Sequence, residues 1–178
     1  MIDVSNLKDA LKALGFVAYG DIYEKAFSEI GCSLKVDFQA KRLIYPNEIR
    51  GRERNDSFDQ KENFVVFECV CRLLSKGYRP EHIELEKEWH LGHDAKGGRA
   101  DICVSDTSGS MLFIIECKTW GREYDKALND FNFNKALRTS VKKAFHISSK
   151  YPLVKLASVC DLNTSKTEIH DTPDDLLV

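Results

Sequence analysis

The chain has 178 residues, a net charge of −2, 43% hydrophobic and 30% charged residues, the profile of one soluble globular domain and not of a blanket nucleic-acid binder. No apolar run reaches the roughly 18 residues of a membrane span, and the start Met1-Ile2-Asp3-Val4-Ser5-Asn6 lacks a basic-then-apolar leader, so a cytoplasmic protein without membrane contact is expected. Cysteines 32, 69, 71, 103, 117 and 160 sit mostly in apolar runs without C-x2-C spacing, which favours reduced core thiols over a zinc site.

Leu7, Leu11 and Leu14 recur at helical spacing after Ser5-Asn6, and Gly15 stops the run. A second helix is expected over Asp21 to Ile30, closed by Gly31, followed by a hairpin of residues 34–38 and 42–45 with its turn at 39–41. Residues 1–45 thus read as an N-terminal α/β appendage. Pro46 to Ser57 is polar and turn-rich, with Arg50, Arg52 and Arg54 at alternate positions. An extended loop would direct them to one side, where they could hold phosphates. A solvated loop neutralised by Glu48 and Glu53 is the competing reading.

Residues 59–76 form the clearest helix: Phe64, Phe67, Val70, Cys71 and Leu74 make an apolar stripe, and Val66, Cys69 and Leu73 cover much of the remaining circumference. Such a helix packs on more than one side. Glu68 borders the stripe, where an unpaired carboxylate is costly, so it needs either a metal site or a salt bridge. Glu62 lies on a different face. Residues 84–91 alternate Leu85, Lys87, Trp89 and Leu91 against Glu84, Glu86, Glu88 and His90, the pattern of a strand with one polar face. His90 and His93 flank Gly92 in a turn and are expected to be exposed polar residues.

Gly97-Gly98-Arg99-Ala100-Asp101-Ile102-Cys103-Val104-Ser105 and Met111-Leu112-Phe113-Ile114-Ile115-Glu116-Cys117-Lys118-Thr119 are apolar, β-branched runs joined by Asp106-Thr107-Ser108-Gly109-Ser110, a linker with hairpin chemistry. Alternation puts Ile114, Glu116 and Lys118 on one face and Phe113, Ile115 and Cys117 on the other. Hairpin pairing can bring Asp101 close to Glu116. Two carboxylates and a lysine at one sheet end suit a hard divalent cation, which completes its shell with waters and phosphate oxygens. The plainer alternative is a solvated Glu116–Lys118 pair.

The pattern G-G-R-A-D-I-x(13)-E-C-K, with alanine where proline is frequent, resembles the PD-(D/E)xK nuclease signature. Ile49 to Arg52, Glu62 to Glu68, Leu73 to Pro80 and Glu116 to Tyr124 extend the likeness to the amino-terminal nuclease domain of large single-chain, type I-like restriction-modification enzymes, in which an N6-adenine methylase follows. The resemblance covers roughly residues 45–128. It implies a restriction-endonuclease-like α/β core, a mixed central sheet flanked by helices; the chain itself is read as carrying that core over residues 46–160, with the polar stretch 161–178 a loose tail. It also implies Mg2+, with Mn2+ as a substitute. Asp101, Glu116 and the Cys117 backbone carbonyl would be its ligands, Lys118 would position the attacking water, and Glu68 would complete the acidic cluster, with Glu62 as second choice. Double-stranded DNA and further methylase, translocase or specificity domains of a parent chain are the implied partners.

Between Phe131 and Cys160 there is no Asp or Glu, and Lys135, Arg138 and Lys142 share one face of a helix expected after Tyr124. That face would lie against DNA. The family's Q-x3-Y element has no counterpart, since glutamine occurs only at 39 and 60. The intact Asp101, Glu116 and Lys118 trio favours a metal-dependent endodeoxyribonuclease as the expected function, and the missing element favours the alternative, a catalytically inactive DNA-binding or assembly module.

Overall fold

The computed structural model describes residues 4–88, 99–119, 121–122 and 125–126, together with the backbone of 153–161 and 166–170. The chain is a mixed α/β protein with two sheets. Helix α1 (Leu7–Ala13) turns Leu7, Ala10 and Leu11 inward. An antiparallel meander follows, β1 (Val17–Tyr19), β2 (Ile22–Phe27), β3 (Cys32–Asp37) and β4 (Arg42–Ile44), paired in that order.

Strand β2 occupies the segment expected as a second helix. Tyr19 pairs with Ile22 across a two-residue Gly20-Asp21 loop, and Gly20 supplies the φ of 66° that such hairpins require. Beyond it Ile22 to Phe27 pair residue by residue with β3, and the two buried aromatics, Tyr23 and Phe27, fall on one face of the strand. The β3–β4 hairpin forms as expected, with Asp37 opposite Arg42.

Helix α2 (Lys61–Ser75) buries Asn63 to Cys71 continuously, then Leu73 and Leu74. Phe67 meets Phe16 and Tyr45, and Phe64 meets Phe58, on the N-terminal side. On the other side Cys69 Sγ lies 4.0 Å from Cys117 Sγ. The helix is thus held between the two sheets and joins them in one hydrophobic core.

The second sheet runs β5 (Ile83–Glu88), β6 (Arg99–Ser105), β7 (Met111–Cys117), β8 (Leu153–Asp161) and β9 (Lys166–His170) in spatial order. All pairs are antiparallel except β7–β8, which is parallel, so the sheet is mixed. Strand β9 lies within the stretch read as a loose tail. Ile83, Leu85, Ile102, Val104, Phe113, Ile115 and Cys117 join the core from one face of β5–β7. The opposite face carries Glu84, Asp101 and Glu116, and the β6–β7 register brings Asp101 and Glu116 to the same end of the sheet. Ile102 is fully buried at the centre of the core face, and Ile102→Ala should cost about 2–5 kcal/mol. A lower denaturant midpoint at unchanged m-value is the expected reading.

The described cysteines are all free thiols, and four of the five are buried. No helix among the described residues is long and apolar enough to cross a membrane.

Candidate functional site

The β6–β7 ladder stops at Ile102 opposite Ile115, and one step further the register sets Asp101 across from Glu116. There a side chain takes over from the backbone: the amide of Cys117 donates to Oδ2 of Asp101 at 2.6 Å. Asp101 is thereby fixed at the end of the sheet, only 8% exposed.

Lys118 follows immediately after β7. Its Nζ donates to Glu116 Oε1 and to the Cys117 carbonyl, both at 2.7 Å, and to Glu62 Oε1 at 3.2 Å. Asp101 Oδ2 is 3.8 Å from the same nitrogen. Strands β6 and β7 and the first turn of α2 therefore bring three carboxylates to one ammonium.

The electrostatics follow from that count. Burial, and then the neighbouring Glu116, raise the Asp101 carboxyl from 3.8 to about 7, against the opposing pull of Lys118 and the Cys117 amide. Burial alone would lower the Lys118 ammonium, but Glu116, Asp101 and Glu62 override it and hold it above its ordinary value. Lys118 is thus a fixed cation near neutral pH. The Cys117 thiol contacts Cys69 inside the core, and this contact and burial hold it neutral. Its backbone amide and carbonyl, and not its thiol, serve the cluster.

Whether a divalent cation suits this place is decided by the donors. Asp101, Glu116 and the Cys117 carbonyl offer oxygen alone, the chemistry Mg2+ prefers, and the carboxylates exceed the single ammonium. Among the described residues no group of three or more His, Cys, Asp or Glu is arranged as a ready metal cage. Two carboxylates and a carbonyl fit an ion that retains several waters.

The remaining expected residues are distributed differently. Glu68, 2% exposed, ion-pairs with Arg72 one helical turn on. Glu62, in the first turn of α2, is the acid of that helix that reaches Lys118. Arg52 and Arg54 belong to a 3-10 turn and not to an extended loop. Arg50 pairs with Glu84 at 2.9 Å, Arg54 with Glu88, and Arg52 donates to the carbonyls of Asn47 and Ile49. Lys135, Arg138, Lys142, His90, His93, Gly97 and Gly98 lie outside the described residues.

No protein-family model matches the chain, and no curated protein matches it.

Proposed function

We propose that the chain is a metal-dependent endodeoxyribonuclease domain with a restriction-endonuclease-like core, hydrolysing phosphodiester bonds of double-stranded DNA. The observation that carries this reading is the meeting of Asp101, Glu116 and Lys118 at the broken end of the β6–β7 ladder. A mixed sheet with a helix packed on it suits that core.

Asp101, Glu116 and the Cys117 carbonyl would hold Mg2+, or Mn2+ in its place, which when bound neutralises phosphoryl charge and acidifies a water. Lys118 acts as donor and not as base, because its neighbours keep it protonated. It orients the attacking water and stabilises charge developing on the phosphate. Glu62 holds Lys118 from the α2 side. Arg50, Arg52 and Arg54, with Lys135, Arg138 and Lys142, are the proposed contacts to the DNA backbone. A parent restriction-modification chain with methylase, translocase or specificity domains, acting in the cytoplasm, belongs to the same proposal.

Lys118→Ala should lower cleavage by ~10² to 10³, the usual cost of losing one preorganised donor, while DNA binding persists. The assay uses duplex DNA with Mg2+ and with Mn2+, the full chain, and filter or fluorescence binding in parallel. The absence of the Q-x3-Y element favours one other reading, an inactive DNA-binding or assembly module. Unmodified protein that binds duplex but cuts with neither metal would establish that reading instead.

A further inference from the structure

Strand β5 carries an irregularity directly beside the acidic cluster. Leu85 pairs with Ile102 and Lys87 with Ala100, but Glu86, the position between them, is skipped in the ladder. Glu86 has a φ of 53°, the left-handed region that a bulky non-glycine residue seldom adopts and that recurs where function imposes it. Its carboxylate is one-tenth exposed, accepts from Arg99 Nε at 2.9 Å, and is braced by Asn55 Nδ2 at 3.3 Å. Asn55 is itself 3% exposed. The strained residue thus holds an arginine.

Arg99 lies two residues before Asp101 on β6, hence on the same sheet face and about 7 Å away at ~3.3 Å rise per residue. That spacing is comparable with the separation of successive phosphates along one nucleic-acid strand. Glu86 takes the Nε edge of the guanidinium, and the side chain nevertheless stays 56% exposed. A guanidinium held through Nε on a side chain more than half exposed is suited to the paired oxygens of a phosphate.

We propose that Arg99 anchors the phosphate next to the scissile one and that Glu86 is the positioning residue that aims it; the inference rests on the nuclease reading. The test measures affinity for a labelled duplex by the full chain in chelator, over a range of salt, with melting temperatures recorded for every variant. Arg99→Ala should weaken binding about tenfold and reduce the salt slope by about one ion. Arg99→Lys should restore the slope without restoring the affinity, because the ammonium lacks the planar fork. Glu86→Gly removes the carboxylate where glycine accepts the backbone conformation without strain. Relief of the backbone strain opposes the loss of the Arg99 and Asn55 contacts, so its melting temperature should stay within a few degrees of the parent's while affinity falls, with the loss appearing in KM and not in kcat.

Arg99→Ala with the parent's affinity and slope overturns the inference, whether or not the parent cuts. A parent that binds DNA and never cleaves it overturns the nuclease reading alone, and the Arg99 comparison is still decided by binding. Should Glu86→Gly fail to fold, the largely exposed Arg99 supplies the decisive variants.

Discussion

Asp101→Asn is expected to melt several degrees above the parent at pH 8 in chelator and to cleave DNA at least about 10³-fold more slowly in Mg2+. The two effects share one cause. Asn keeps an oxygen for the Cys117 amide, which Asp101 Oδ2 now accepts at 2.6 Å, but removes the charge that burial and Glu116 oppose. In the folded chain this carboxyl takes up its proton at about 7, against 3.8 when unperturbed. Between those values the folded state binds more protons than the unfolded one, so the contribution to stability falls as pH rises from about 4 to 7. Each unit corresponds to about 1.4 kcal/mol, and the charged carboxylate therefore costs a few kcal/mol in full above pH 7.

Melting curves of the two proteins should coincide near pH 4, separate progressively, and keep a constant gap above pH 7. Added Mg2+ should then raise the melting temperature of the parent and leave Asp101→Asn unmoved, because binding to the folded state alone stabilises by mass action. The cleavage loss corresponds to the several kcal/mol that a metal contributes to phosphoryl charge stabilisation. An Asn variant that melts below the parent at pH 8, or one that Mg2+ stabilises equally, would remove Asp101 from the proposed metal centre.

The meeting of side chains at the candidate site was legible where local chemistry and pairing agree. Asp106 fixes the β6–β7 turn by accepting from the amides of Ser108 and Ser110, and that hairpin carries Asp101 towards Glu116. Helix α2 was legible because its apolar residues exceed one stripe. Reasoning from burial correctly requires a partner for Glu68, but a desolvation cost does not specify which partner, and Arg72 at i+4 meets the need locally. Glu62 needed tertiary information, since only folding brings the first turn of α2 to Lys118. A helix over Asp21 to Ile30 is suggested by Glu24 and Lys25, good helix formers, but the two-residue Gly20-Asp21 loop sets Ile22 to Phe27 as a strand against β1. Strand β9 is five residues long and largely polar, and only its pairing with β8 distinguishes it from a loop.

Gly51→Ala should be among the most destabilising single-methyl additions in the chain, because two constraints meet there. Gly51 has a φ of 72°, and a Cβ at this position would stand 1.9 Å from the Leu85 carbonyl oxygen, a backbone atom that no rotamer change can move. The close approach exists because the arginine loop is laid along the edge strand β5. The Leu85 amide donates to the Arg50 carbonyl at 2.8 Å, Arg50 pairs with Glu84, Asn55 with Glu86 and Arg54 with Glu88. This covers backbone that would otherwise offer an open sheet edge. A left-handed alanine alone costs about 1–2 kcal/mol. With the clash the total should be on the order of 3 kcal/mol, or roughly 6–12 °C in melting temperature for a domain of this size. Gly31→Ala is the matched control, because its φ is 69° but a Cβ there meets nothing within 4 Å. The difference between the two variants measures the loop-to-strand contact itself. Because the loop also braces Glu86 through Asn55, Gly51→Ala should weaken DNA binding together with stability, whereas Gly31→Ala should leave affinity at the parent value. Equal melting temperatures for the two variants would show that the loop does not pack against Leu85 as described.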